Sequence, residues 1–254
     1  MASMKKFTNR AVAGQLKHCK REIENNRNTD IDPARSPQNI ILSPDRGMPE
    51  YEYYRQRKSE LYCYNRADLK TLVGWIITAP QELKSREEQI SFFRKTYEFL
   101  EKRYGRENLV LAICHFDEGK TRKIKERWGE DYVMDENGDI QTEVVLGRPH
   151  LHFYFIPAVP DRNPKHPQAE KICASERVNK KDLLTFHPDL SKYTGCDGVI
   201  NHKIKELGRN FTVKELKANY EDIENELERL REIECKYNRT IEWEIDRTDN
   251  GARW

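Results

Sequence analysis

The sequence contains no apolar run of the roughly 18–20 residues that a membrane-spanning helix requires, so no transmembrane helix is expected. Its start, Met1-Ala2-Ser3-Met4-Lys5-Lys6-Phe7, leads into no apolar segment, so no signal peptide is expected. Cysteine is scarce and shows no C-x-x-C spacing: Cys19, Cys63, Cys114, Cys173, Cys196 and Cys235 stand apart. That argues against a zinc ribbon or a disulfide scaffold and fits a reducing, cytoplasmic setting. Internal repeats and low-complexity tracts are also missing, which removes solenoids and disordered linkers from consideration. What is present is charge. Asp, Glu, Lys and Arg make up 35% of the 254 residues, against 37% for the apolar and aromatic set. The net charge is only +2, but its distribution is uneven. Residues 5–27 carry seven Lys or Arg against two Glu, whereas residues 214–236 carry eight acids against five bases. A basic front and an acidic back suit a polyanion that approaches one end.

Thr8 or Asn9 can cap a helix over about residues 10–25, with His18 and Arg21 on one face by their i, i+3 spacing. Asp32-Pro33 and Ser36-Pro37 mark a loop, and residues 39–42 a short strand. Residues 50–62 are rich in tyrosine and read as helix. Residues 72–78, 109–116 and 151–156 read as three buried strands. Between the first two, residues 85–103 form an amphipathic helix with Ile90, Phe93, Tyr97 and Leu100 on one face. Asn137-Gly138 signals a hairpin. Residues 179–190 and 201–207 read as helical. Leu216, Tyr220, Ile223, Leu227 and Leu230 follow a heptad seam, which serves packing on the same chain or on a second copy. The pattern implies an α/β (α+β) domain with a central antiparallel sheet over residues 1–210, then a helical extension over 211–254.

The chemistry concentrates in His150-Leu151-His152. Strand side chains alternate, so the two histidines share one face, where burial is costly unless they find partners. A divalent metal is one such partner, since neutral imidazole is a common ligand. His115-Phe116-Asp117-Glu118 ends the strand before. If the two strands are neighbours, three imidazoles and a carboxylate converge on a plausible metal site. Lys17-His18-Cys19-Lys20-Arg21 on the first helix is by itself an ordinary surface pattern, although a histidine beside an arginine suits phosphate chemistry.

Together these motifs resemble the Mob/Pre plasmid mobilisation proteins, the MobV class of relaxases. The family pattern H-N-x-R reads His18-Cys19-Lys20-Arg21 here. The N-x-D-I-[DN]-P-x-R-S stretch reads Asn28-Thr29-Asp30-Ile31-Asp32-Pro33-Ala34-Arg35-Ser36, followed by Asn39-Ile40-Ile41-Leu42. The H-x-D-E and P-H-x-H pair reads His115-Phe116-Asp117-Glu118 and Pro149-His150-Leu151-His152. The resemblance covers roughly residues 8–210. It implies an HUH-type fold and a metal-dependent strand transferase. Such an enzyme nicks one strand of single-stranded DNA at an origin of transfer and stays bound to the 5′ end. It implies His115, Glu118, His150 and His152 as ligands of Mn²⁺ or Mg²⁺, with the histidines favouring manganese. It implies His18 as nucleophile, with Arg21 and Glu118 assisting. Lys17, Lys20, Arg21, Arg35, Ser36 and Asn39 would then face the DNA. Further implied partners are a second copy through the 214–235 helix and a coupling protein.

Several features depart from the family. Cys19 and Ile40 replace an asparagine and a tyrosine. Residues 119–149 intervene between Glu118 and the histidine pair, where compact members have only a few, and this insertion is expected to form a β-hairpin. Its basic residues, Lys120, Arg122, Lys123, Lys125 and Arg127, suit either DNA contact or simple solvation. The strand that usually precedes the first helix is expected to be missing. Alternative readings are a replication initiator of the same superfold using one of Tyr51, Tyr53, Tyr54, Tyr62 or Tyr64, a DNA-binding accessory protein with weak or no turnover, and a metallohydrolase unrelated to DNA.

Overall fold

The computed structural model describes residues 2–23, 30–124, 132–197 and 229. Outside the described residues lie the helix expected at 201–207, the heptad seam of residues 216–230, Arg27, Asn28, Thr29, Lys125, Arg127 and Trp128. The chain divides into two compact units: residues 1–120 with 144–201, and residues 121–143 with 202–254. No helix among the described residues is long and apolar enough to cross a membrane.

The first unit is built on a five-stranded sheet. Along the chain run β1 (Ala2–Thr8), α1 (Asn9–Cys19), β2 (Ile40–Ile41), α2 (Glu50–Ser59), β3 (Lys70–Thr78), α3 (Arg86–Tyr104) and β4 (Leu109–His115). The inserted ribbon follows as β5 (Gly119–Lys123) and β6 (Thr142–Leu146). The unit closes with β7 (His150–Phe155), β8 (Ala158–Pro160), β9 (Glu170–Ile172), α4 (Ala174–Arg177) and α5 (Lys180–Thr194). The strand order is β1-β3-β7-β4-β2, and each pairing is antiparallel. The mixed α/β class and the antiparallel central sheet are therefore as the sequence pattern implies.

Two expectations are overturned. A strand does precede the first helix: β1 pairs along β3 from Ala2↔Ile77 to Thr8↔Lys70. Only Phe7 and Ala2 of β1 are buried, so this edge strand lacks the apolar run that marks the central strands. The first helix also ends at Cys19 rather than near residue 25. Arg21 adopts φ +63°, a left-handed conformation that stops a helix. His18 and Arg21 therefore do not share a helical face. Thr8 occupies the N-cap position without a side-chain cap bond.

The sheet is covered on both faces. On one face, Leu151, Phe153 and Phe155 of β7 join Val73, Trp75 and Ile77 of β3 under α3 and α5. There Trp75 stacks on Phe186 with ring centroids 3.6 Å apart. α3 starts with a capping box, in which Ser85 accepts from Glu88 N and the Glu88 carboxylate accepts from Ser85 N. On the other face, Val12, Leu16 and Cys19 of α1 and Tyr54 of α2 pack on Leu72, Leu111, Ile113 and Tyr154. Strand alternation places His150 and His152 on this second face, with Tyr154. The helix that carries His18 is thus the one that packs on the histidine side.

In the inserted segment, β5 and β6 form a two-stranded ribbon. Around Asn137-Gly138, Met134 bridges Ile140, and Gly138 takes φ +85°. The Asp135 carboxylate accepts from the backbone N–H groups of Asn137 and Asp139. Arg122 pairs with Glu143 at 2.6 Å.

Candidate active site

β4 and β7 are neighbours, and His115 lies directly opposite His150 in their register, with Ile113 opposite His152. Three imidazoles therefore meet. Their ring centroids are 5.3 Å apart for His115 and His150, 4.7 Å for His115 and His152, and 4.9 Å for His150 and His152. One nitrogen from each ring falls within 4.8 Å of the others. The Glu118 carboxylate lies at their edge, 3.6 Å from His115 Nδ1 and 3.7 Å from His150 Nε2.

Each ring has its other nitrogen tied to an outer group. His115 Nε2 donates to the Cys19 carbonyl at 2.8 Å, and His150 Nδ1 to the Arg148 carbonyl at 3.3 Å. His152 Nδ1 meets the Tyr154 hydroxyl at 3.0 Å. His115 Nδ1 is left buried with no hydrogen-bond partner. A buried, unsatisfied acceptor costs about 1–3 kcal/mol. Its lone pair faces two further imidazoles and a carboxylate, which is a donor set that fits a divalent metal. Burial, first, and the neighbouring His115 lower the pKa of His150 and His152, against the opposing pull of Glu118 on His150, so both rings favour the neutral form that a ligand requires.

His18 is partly buried in the last turn of α1. Burial, followed by the Arg21 charge, lowers its pKa, and Glu118 opposes this without reversing it. The turn after α1 is anchored by Arg21. Its guanidinium grips Asp117 with Nε to Oδ2 at 2.9 Å and Nη2 to Oδ1 at 2.7 Å, and Nη2 also donates to Glu118 Oε1 at 2.8 Å. Asp117 is fully buried. It accepts further bonds from Ser36 Oγ and Asn39 Nδ2, both at 2.8 Å. Burial would raise its pKa, but the donors outweigh this and hold the carboxyl well below the usual carboxylate range. Burial would raise the Glu118 pKa too, but the neighbouring His115, His150 and Arg21 outweigh it and put Glu118 at about 2.

The residues expected on the DNA thus divide. Lys17 is exposed. Lys20 is paired with Glu50 at 2.8 Å and Glu22 at 2.9 Å. Ser36 and Asn39 turn inward to Asp117, while Arg35 donates to Gln38 at 3.2 Å. Of the clustered tyrosines, Tyr54 is buried with its hydroxyl on Thr71 and Asn9, Tyr53 donates to the Glu107 carbonyl, and Tyr62 stacks on His166. These contacts commit them to packing. The pattern of the sequence did not single out Asp117 as the hub of a polar network. Nor did it single out Tyr154, although its position two residues past His152 already places the two on one face.

A sequence model of the family described as plasmid recombination enzyme matches residues 1–218. Curated plasmid recombination enzymes are similar at the sequence level. One from Bacillus thuringiensis is 25% identical over 190 residues, covering 73% of this chain and 35% of that protein. One from Streptococcus agalactiae is 25% identical over 233 residues, covering 88% and 40%. The chain therefore spans well under half the length of these relatives. Among solved structures, the MobM relaxase domain bound to oriT DNA of plasmid pMV158, Mn-bound at pH 6.8, superposes with a TM-score of 0.60. It is 23% identical and covers 86% of this chain and 97% of that one. A second Mn-bound crystal structure of that complex, at pH 4.6, gives a TM-score of 0.59 at 21% identity. These likenesses concern the fold. The family match, running over residues 1–218 of 254, shows that this chain belongs to the Mob/Pre plasmid recombination enzymes.

Proposed function

We propose that this chain is a relaxase, a metal-dependent DNA strand transferase that nicks one strand at the transfer origin of a plasmid or mobile element. The observation that carries the reading is the cluster of His115, His150 and His152 with Glu118, closed on one side by the turn that follows His18. The plasmid recombination enzymes among its relatives, and the oriT DNA and manganese bound to the matched MobM relaxase domain, support it.

In this reading His115, His150, His152 and Glu118 hold the ion, and their nitrogen-rich set suits Mn²⁺ better than Mg²⁺. A bound divalent ion would polarise the scissile phosphate and offset the charge that builds during in-line displacement. The protein supplies the rest. His18 attacks as neutral imidazole: a nitrogen–phosphorus bond forms and the phosphorus–O3′ bond breaks. The 5′-phosphate is left on the protein as a phosphoramidate, and the departing oxygen takes up a proton. Partial burial and the Arg21 charge favour that neutral form at pH 7. Arg21 has its guanidinium on Asp117 and Glu118, so it locks the turn beside the nucleophile. Lys17, exposed on the same helix, would meet a phosphate of the single strand.

The test is incubation with Mn²⁺ and single-stranded DNA spanning the origin region of its own element, beside His18→Ala. An acid-labile protein–DNA adduct that requires both His18 and metal is expected. An acid-stable adduct that survives His18→Ala would instead assign a tyrosine nucleophile. Salt-sensitive DNA binding without any adduct would make the protein an accessory factor.

A further inference from the structure

Tyr154 lies two residues beyond His152 on β7, and the two rings stack with centroids 5.8 Å apart and planes 9° apart. The strand opposite leaves room for it. Gly74 is its partner in the β3–β7 register, and a Cβ at Gly74 would collide with the Tyr154 ring. The phenol is buried, and its hydroxyl is a three-way junction. Gln15 Nε2 donates to it at 2.9 Å, Cys19 Sγ lies at 3.2 Å and His152 Nδ1 at 3.0 Å. Gln15 Nε2 also reaches Cys19 Sγ at 3.5 Å.

A hydroxyl has one hydrogen and two acceptor lone pairs. Gln15 uses one lone pair. All three contacts are satisfied when the hydroxyl gives its hydrogen to Cys19 Sγ and accepts one from His152 Nδ1. His152 then keeps a bare Nε2, the nitrogen on the ring edge away from Tyr154. The opposite arrangement, with the hydroxyl donating to Nδ1, would place the hydrogen on Nε2 and close that nitrogen to a metal. Two contacts support the first arrangement. The Cys19 sulfur already sits as acceptor to Gln15, and His115 Nδ1, close by in the cluster, receives no hydrogen bond from any ring.

We propose that Tyr154, held by Gln15 and Cys19 of α1, is a positioning residue that fixes His152 in its metal-binding tautomer. Cys19 also takes the His115 Nε2 hydrogen on its carbonyl. One residue beside His18 therefore orients two of the three imidazoles, one through its backbone and one through its thiol and Tyr154. Seating of the nucleophile's helix and metal affinity become linked. The inference rests on the reading of the triad as metal ligands.

The experiment uses the full chain. Calorimetric titration with Mn²⁺ compares wild type with Tyr154→Phe, and ¹⁵N NMR reads the His152 tautomer in the metal-free wild type at about pH 8, where imidazole is neutral. The expected results are a loss of Mn²⁺ affinity of about 10–100-fold in the variant and a hydrogen on Nδ1 in the wild type. A purely structural role would lower the melting temperature of the metal-free variant but leave the affinity of its folded form unchanged. If Tyr154→Phe does not fold, Cys19→Ala is the second variant. It removes the acceptor of the hydroxyl hydrogen, frees that hydrogen for Nδ1, and is expected to weaken Mn²⁺ as well. Undiminished affinity in the variants, or a hydrogen on Nε2 in the wild type, would overturn this proposal alone. Failure of the wild type to bind Mn²⁺ would overturn the metal-site reading and this proposal with it.

Discussion

Asp117→Asn tests the polar network that anchors the turn after α1. The substitution keeps the shape of the side chain and removes its charge. In the wild type both carboxylate oxygens are taken, by two Arg21 nitrogens, Ser36 and Asn39, at 2.7–2.9 Å. An asparagine must present its NH₂ either to Arg21 Nη2 or to the group of Arg21 Nε, Ser36 and Asn39, which in each case leaves a donor facing a donor. Removing one partner of a buried ion pair costs about 3–5 kcal/mol. Arg21 keeps its bond to Glu118, so the lower end, about 3 kcal/mol, is expected. For a domain of this size that is a fall in Tm of about 6–12 °C. The assay is thermal unfolding followed by circular dichroism, with urea unfolding as a check on ΔG. A fall of less than about 2 °C would refute the argument, because it would mean the network contributes no more than a surface pair. Acid gives an independent check. The folded carboxyl titrates below the unfolded one, so as pH falls through about 4 the unfolded chain binds the proton first. The advantage of wild type over Asp117→Asn is therefore full above pH 5, shrinks below about pH 4 and disappears once the folded carboxyl is protonated. A gap that widened in acid would contradict the assignment.

Two further substitutions probe other levels. Gly74→Ala forces a methyl against the Tyr154 ring, whose Cδ1 would lie 2.7 Å away. It is expected to cost about 1–3 kcal/mol in urea unfolding and to weaken Mn²⁺ binding through the displaced phenol. Ser85→Ala removes the capping box of α3, on the far face of the sheet from the histidines. It is expected to cost about 1 kcal/mol of stability while leaving the proposed nicking reaction unchanged, and a large loss of that reaction at full occupancy of the folded state would contradict the separation.

Much of the site was legible because its signals are local. A period of two puts His150 and His152 on one face whatever the rest of the fold does. The apolar runs at 72–78, 109–116 and 151–156 are buried strands because nearly all of their side chains are apolar. The helical spacing of Ile90, Phe93, Tyr97 and Leu100 marks α3 in the same way. The resemblance in H-x-D-E and P-H-x-H supplied the rest of the proposed metal set. The failures are also local in origin. β1 was missed because an edge strand that carries Lys5 and Lys6 side by side and buries only Ala2 and Phe7 has little apolar signal. The end of α1 was misplaced because residues 20–25 hold no glycine or proline to announce it. There the tertiary pull of Asp117 and Glu118 on Arg21 outweighs helix propensity and holds a non-glycine residue at φ +63°.

By itself the sequence determined that His150 and His152 share a face, the class of the fold, and the family. It did not determine which strands touch. Only the order β3-β7-β4 sets His115 opposite His150, and only the packing of α1 on that face brings Gln15 and Cys19 to Tyr154, 139 and 135 residues away in the chain. Ser36 and Asn39, which the family resemblance would put on the DNA, turn inward because a buried carboxylate at Asp117 needs their hydrogens. Alternation and periodicity are properties of a segment. The partner that satisfies a buried polar atom is chosen by the whole fold, because the cost of leaving it unpaired is met wherever in the chain a donor can be brought.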